Sequence, residues 1–147
     1  MNPERPPTRA DFKIFYPVPT RWLDNDIFGH VNNVHYYSYF DTAIAHFLMR
    51  EGGLDPWRSE VIGFCVESAC RFRRAVRFPE RITAGLRIAK LGRTSVRYEI
   101  GLFRDDDQET AADGYFVHVF VTRADQRPAP ISPAFRAALA RLVTDSA

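Results

Sequence analysis

The chain has 147 residues, of which 46% are apolar and 14% aromatic, and a formal net charge of +2. This composition excludes a disordered or fibrous protein, and the small net charge excludes a general nucleic-acid binder. Two cysteines, Cys65 and Cys70, make no disulfide framework or zinc site, because five residues apart on a strand they are expected to face opposite ways.

Residues 1–11 are rich in proline and charge and read as a flexible N-terminal tail, with one domain expected over 12–147. The segment Met1 to Pro7 has no apolar core of a signal peptide. No apolar run approaches the roughly 20 residues that a membrane helix needs. A cytoplasmic location without membrane contact is expected.

Phe12 to Pro17 is an apolar and aromatic run that predicts a first strand, and Thr20 to Asn33 reads as a structured loop of Asp, Asn and Gly. A helix of about 17 residues is predicted from Asn33 or Val34. Tyr37, Phe40, Ile44, Phe47 and Leu48 fall on one helical face, Asn32 or Asn33 is the candidate cap, and Gly52-Gly53 ends it. Alternating patterns predict strands through Phe64–Phe72, Ile82–Ile88 and Val96–Leu102, and a β-branched and aromatic run predicts another from Tyr115 to Thr122. Turns separate the later strands at Leu91-Gly92-Arg93 and Asp105 to Gln108, so hairpins and an antiparallel sheet are expected. A C-terminal helix is predicted from Pro133 to about Val143, capped by Ser132. The order is strand, loop, long helix and then four strands. It implies an α+β fold whose single long helix packs on the sheet.

The loop before the long helix carries the chemistry. Asp24 and Asp26 are two carboxylates in close succession, followed by Gly29, His30, Asn32 and Asn33. The N-terminus of a helix offers unpaired N–H groups that can stabilise an oxyanion, and an Asp beside it can be a nucleophile or activate water. These are the parts for acyl transfer or hydrolysis. Taken without more, the same residues also suit a polar loop that makes turns and caps.

The run Arg21 to Tyr37, Arg-Trp-Leu-Asp-Asn-Asp-Ile-Phe-Gly-His-Val-Asn-Asn-Val-His-Tyr-Tyr, resembles the signature of the 4-hydroxybenzoyl-CoA thioesterase family. Its His-Val-Asn-Asn form is similar to that of bacterial acyl-CoA thioester hydrolases and of plant acyl-carrier-protein thioesterases. The resemblance implies a hotdog fold, an antiparallel sheet of about five strands wrapped around one long central helix. It places the catalytic carboxylate on Asp26, as nucleophile or general base, and the oxyanion donor on a backbone N–H near Asn33 or Val34. Gly29 would let the backbone turn tightly, Asp24 would order the loop, and His30, Asn32 and Asn33 would fix it or orient water. No metal and no organic cofactor are implied, and a homodimer or homotetramer is expected.

Two further groups are candidates. Asp41 lies on the helix, where it could bond to the loop, cross to a partner subunit or be solvated. Arg71, Arg73, Arg74 and Arg77 form a basic cluster that could hold the phosphates of coenzyme A or could be a solvated strand edge. The chain has 18 Arg against 2 Lys. That bias suits a phosphorylated ligand and equally reflects a GC-rich genome. The expected activity is hydrolysis of a small-molecule acyl-CoA to a carboxylic acid and CoA. The alternatives are an acyl-carrier-protein thioesterase, a hotdog hydratase or dehydratase with His30 as base, and a non-catalytic acyl-binding hotdog module.

Overall fold

A computed structural model of the chain describes residues 5–144. Its elements in order are strand β1 (Ile14–Pro19), helix α1 (Asn33–Arg50), strands β2 (Val61–Phe72), β3 (Arg81–Leu91), β4 (Ser95–Arg104) and β5 (Ala112–Thr122), and helix α2 (Pro133–Ala140). The five strands form one antiparallel sheet in the order β1-β3-β4-β5-β2, with α1 against one face. This is the hotdog architecture expected.

The long helix forms where its spacing places it. Asn32 takes the cap, its side chain accepting from the Val34 N–H, and the first turn thereby gains one partner it would otherwise lack. At the other end the Glu51 and Gly52 N–H groups both reach back to the Phe47 carbonyl, and Gly53 adopts φ +72°. The buried face runs through Tyr36, Phe40, Ile44 and Phe47. Tyr37, expected on that face, lies at its border and is exposed, above Phe116 of β5. Tyr36 and Tyr39 are buried in its place.

The first strand is displaced from the expected Phe12–Pro17. Arg9–Asp11 makes a short 3-10 turn, and Phe12 leaves the strand line to pack across the outer sheet face. Its ring lies over Gly85 and Gly101, where an added Cβ would come within 2.8 and 2.6 Å of it, and meets Phe103 edge-on at 5.7 Å. Of the expected tail, residues 1–4 lie outside the described residues. Residues 7–11 are fastened rather than loose: the Pro7 carbonyl accepts from the Thr110 N–H, and the Arg9 N–H donates to the Gln108 carbonyl. β1 is an edge strand, and Pro17 and Pro19 remove N–H groups that an edge would otherwise leave unpaired.

Expected hairpins join β3 to β4 and β4 to β5. β2 departs from that pattern. It does not pair with β3, its neighbour in sequence, but crosses to the far edge and pairs with β5. A bulge between Cys65 and Glu67 shifts its register, so Cys65 opposes His118 and Cys70 opposes Gly114. Both cysteines therefore face the α1 side, not opposite sides as their spacing alone predicts. Four residues of β5 separate their partners, roughly 13 Å of strand, and both are free thiols.

α2 begins as predicted, with Ser132 accepting from the Phe135 N–H, but stops at Ala140 instead of about Val143. The chain then runs beside β3: the Ile88 N–H donates to the Leu142 carbonyl, and the Thr144 N–H to the Ile88 carbonyl. β1 pairs with β3 only as far as Leu86, so the backbone of Ile88 is open to this tail. Bonding there replaces the last helical turn. No helix among the described residues is long and apolar enough to cross a membrane.

Candidate active site

The loop between β1 and α1 is built around a tight turn. The Asp26 N–H donates to the His30 carbonyl at 2.9 Å, and the Gly29 N–H returns to the Asp26 carbonyl at 3.0 Å. Gly29 has φ +81°, a left-handed conformation that glycine adopts without strain. Val31 is buried beneath the turn, and its N–H reaches the Val76 carbonyl at 2.7 Å. Asn25 Oδ1 accepts from the Phe78 N–H, which ties the loop to the crossing segment between β2 and β3.

Asp26 is half-buried and both of its carboxylate oxygens are held. Oδ1 accepts from the Phe28 N–H at 2.9 Å, and Oδ2 accepts from Asn32 Nδ2 at 3.3 Å. Asn32 is thus bonded four ways: its amide donates to Asp26, its Oδ1 caps α1 at 3.1 Å, its N–H donates to the Asp24 carbonyl at 2.9 Å, and its carbonyl accepts from the His35 N–H at 3.0 Å. The cap engages the Val34 N–H, so Val34 has no donor left for an oxyanion. The Asn33 N–H has no hydrogen-bond partner among the described residues. Of the two candidate oxyanion donors, only Asn33 is free.

Asp24 is fully buried. Burial opposes its charge, but hydrogen bonds from Tyr39 and Arg21 outweigh that effect and hold its carboxyl below the ordinary range. His35 Nδ1 lies 3.8 Å from the same carboxylate. Asp41 sits two turns into α1 and makes no hydrogen bond to the loop among the described residues. It is exposed, yet the surrounding protein withdraws enough water to raise its carboxyl pKa.

A groove of about 440 Å³ opens beside the helix N-terminus, lined by His30, Val31, Asn33, Tyr36, Phe72, Arg73, Arg74 and Ala75. It joins the loop to the end of β2, bringing together His30 and Asn33 with two of the four candidate arginines. Asp26 does not line it; its carboxylate is bonded to Asn32, the chain neighbour of the lining residues Val31 and Asn33. A larger groove of about 710 Å³ lies around β1 and the β4–β5 turn, but none of the predicted site residues lines it.

The arginine cluster is divided by the strand. Arg73 forms a two-pronged ion pair with Asp113, whose side chain is fully buried and also accepts from Thr110. Arg74 is half-exposed and reaches Glu109 at 2.8 Å. Arg71 lines a small pocket with Arg97 and Tyr115 instead, and Arg77 is exposed beyond the groove. β2 ends at Phe72, so Arg71 is held on the strand while Arg73, Arg74 and Arg77 lie on the segment that leaves it, and Phe72 between them turns toward Tyr36 on the helix side. The four do not form one patch.

A family model described as the thioesterase-like superfamily matches residues 20–139, a span from the start of this loop to the end of α2. The chain belongs to the thioesterase-like superfamily. Among solved structures, this superfamily member is similar to the PA5185 protein of Pseudomonas aeruginosa at 49% identity. That match covers 97% of this chain and 100% of the other, with a TM-score of 0.94. It shares its fold with the DHNA-CoA thioesterase from Staphylococcus aureus (16% identity, 86% and 88% of the two chains, TM-score 0.77). It also shares it with BH1999, a gentisyl-coenzyme A thioesterase (23% identity, 86% and 99%, TM-score 0.75). No curated protein matches the chain.

The loop of this superfamily member thus presents a carboxylate held in a fixed orientation and a free N–H at a helix start, and the groove is lined by the residue that carries that N–H. Among the described residues, no group of three His, Cys, Asp or Glu side chains could hold a metal ion. Tyr36 and Phe72, which line the groove with apolar surface, and Tyr39, the partner of Asp24, carry no signal in the sequence that marks them as part of the site. A buried Asp needs donors, but nothing in the sequence says that one lies 15 residues ahead on the helix.

Proposed function

We propose that this chain hydrolyses acyl-CoA thioesters to a carboxylic acid and free coenzyme A. The observation that carries the reading is the pairing of Asp26, held by the Phe28 N–H and Asn32, with the unpartnered N–H of Asn33 at the start of α1. In this mechanism Asp26 attacks the thioester carbonyl, or takes a proton from a water that does. The Asn33 N–H, aided by the positive end of the helix, stabilises the oxyanion that forms. A thiolate leaves readily, so placement and oxyanion stabilisation are the main demands on the protein. Gly29 shapes the turn, and His30 faces the groove where it can orient the thioester or water. The named activities of the CoA thioesterases that share this fold are consistent with the same substrate class.

Arg74 is the arginine best placed for the phosphates of CoA, because it lines the groove and its guanidinium is half-exposed. Arg71 and Arg77 are secondary candidates. Arg73 is given a structural part, since leaving Asp113 buried and unpaired would be costly. Arg74→Ala is expected to raise the KM for acyl-CoA about tenfold, the effect of one charge-assisted hydrogen bond, with kcat nearly unchanged. Arg73→Ala is expected to lower the melting temperature instead. Steady-state thiol release measures the first and thermal denaturation the second. Unchanged KM values in Arg71→Ala, Arg74→Ala and Arg77→Ala together would remove this account of CoA binding. Faster release from acyl-carrier-protein thioesters than from any acyl-CoA would move the substrate to that class.

A homo-oligomer fits the same reading. Among the described residues the outer edge of β2 has no neighbouring strand, and Phe64, Val66 and Phe72 on it are exposed, as are Ile27 and Phe28 on the loop. A second copy would cover apolar surface that a monomer leaves wet. Sedimentation equilibrium is expected to return a dimer or tetramer, and a monomer at micromolar concentration would overturn this.

A further inference from the structure

Asp24 is the carboxylate that the loop buries completely, and the way its charge is satisfied links the loop to the interior of α1. Oδ1 takes Arg21 Nε at 2.9 Å and Nη2 at 2.8 Å. Oδ2 takes the Arg21 N–H at 2.9 Å and the Tyr39 hydroxyl at 2.5 Å. Arg21 belongs to the loop itself and moves with it. Tyr39 does not: it stands two turns into α1, buried, with its ring against Tyr36. Asp24 in turn accepts the Asn32 N–H on its main-chain carbonyl, and Asn32 donates to Asp26 and caps the helix. A continuous path of hydrogen bonds therefore runs from Tyr39 to Asp24, to Asn32 and to Asp26. Without the phenol, the loop would be tied to α1 by the cap and by the more distant His35.

We infer that Tyr39 is a positioning residue for hydrolysis: through Asp24 and Asn32 its hydroxyl sets where the Asp26 carboxylate stands relative to the Asn33 N–H. This rests on the reading of Asp26 as the catalytic carboxylate. The hydroxyl touches no reacting atom, so its removal should act on turnover and not on substrate binding. The groove residues that would meet the substrate, including the neighbouring Tyr36, remain in place.

The test is Tyr39→Phe, which keeps the buried ring and removes only the hydroxyl. With the best acyl-CoA of a panel, kcat is expected to fall roughly 10- to 100-fold, the order of loss for an ångström-scale misplacement, while KM stays within about threefold. The deciding measurement is the cycle with Asp26→Asn. A group that acts through Asp26 has nothing further to disturb once that carboxylate is gone, so Tyr39→Phe should cause no additional loss of residual rate in that background. An equal loss in both backgrounds would assign the hydroxyl to general stability and overturn the inference, as would an unchanged kcat in folded Tyr39→Phe. If Tyr39→Phe does not fold at the assay temperature, Asp24→Asn interrupts the same path, with the same non-additivity expected and the same result overturning it. A full rate in Asp26→Asn alone would be a separate failure, that of the catalytic assignment itself.

Discussion

Asp26→Asn is expected to reduce the turnover of acyl-CoA by about 10²- to 10⁴-fold, the usual contribution of a positioned base or more, with the melting temperature little changed. The fold should tolerate the substitution because the side chain is half-buried and near-isosteric. An amide oxygen can still accept from the Phe28 N–H, and the turn closed by the Gly29 N–H and the Asp26 carbonyl involves main chain alone. The chemistry should not tolerate it. An amide is neither a nucleophile toward a thioester nor a base, so both versions of the mechanism lose the same step. Thiol release across a panel of acyl-CoAs measures the effect, and circular dichroism checks the fold. A variant with wild-type turnover would place the reacting group elsewhere and leave the loop as a structural turn.

The second large effect concerns stability and lies away from the loop. His118 of β5 is buried between Tyr98 and Phe116, at ring separations of 5.2 and 6.3 Å, and its Nδ1 has no partner among the described residues. Burial depresses its pKa to about 4. An unfolded chain returns the imidazole to an ordinary value of about 6.5, so between these two values the unfolded state takes up a proton that the folded state refuses. Stability from neutral His118 is therefore fully present above about pH 6.5. It is lost progressively as the pH falls to about 4, by an amount on the order of 3 kcal/mol. The carboxylate of Asp24, held below its ordinary range, weakens the fold only at lower pH, so the two windows separate. Urea unfolding from pH 7 to 4.5 should show the wild-type midpoint falling, and His118→Leu should flatten that slope. Parallel slopes in the two proteins would mean that His118 does not carry the effect.

The local contacts of the loop are legible in the sequence. The Asp26–Gly29 turn, the Asn32 cap and the start of α1 all join residues within six positions of one another, and residue types at short spacing encode such contacts directly. Contacts whose partner lies far along the chain are not legible in this way. Arg73 is one of four similar arginines in sequence, and only Asp113, 40 residues on, sets it apart. Val34 and Asn33 are equivalent as candidate donors until the geometry of the cap commits one of them.

The same division holds for the fold. By itself the sequence determined the long helix, through a 3.6-residue apolar period bounded by an asparagine cap and a glycine pair. It also determined the strands, through alternation, and the thioesterase-like loop, through its ordered run of residues. Each is a property of a short window, where backbone preference and side-chain spacing act together. Tertiary structure alone decided that β2 crosses to pair with β5, that a bulge turns both cysteines to one side, that residues 142–144 leave the helical path for the edge of β3, and that Tyr39 anchors Asp24. These depend on which hydrogen-bonding edges and buried charges remain unsatisfied once the sheet has closed around α1, a condition set by the whole chain and written in no single segment of it.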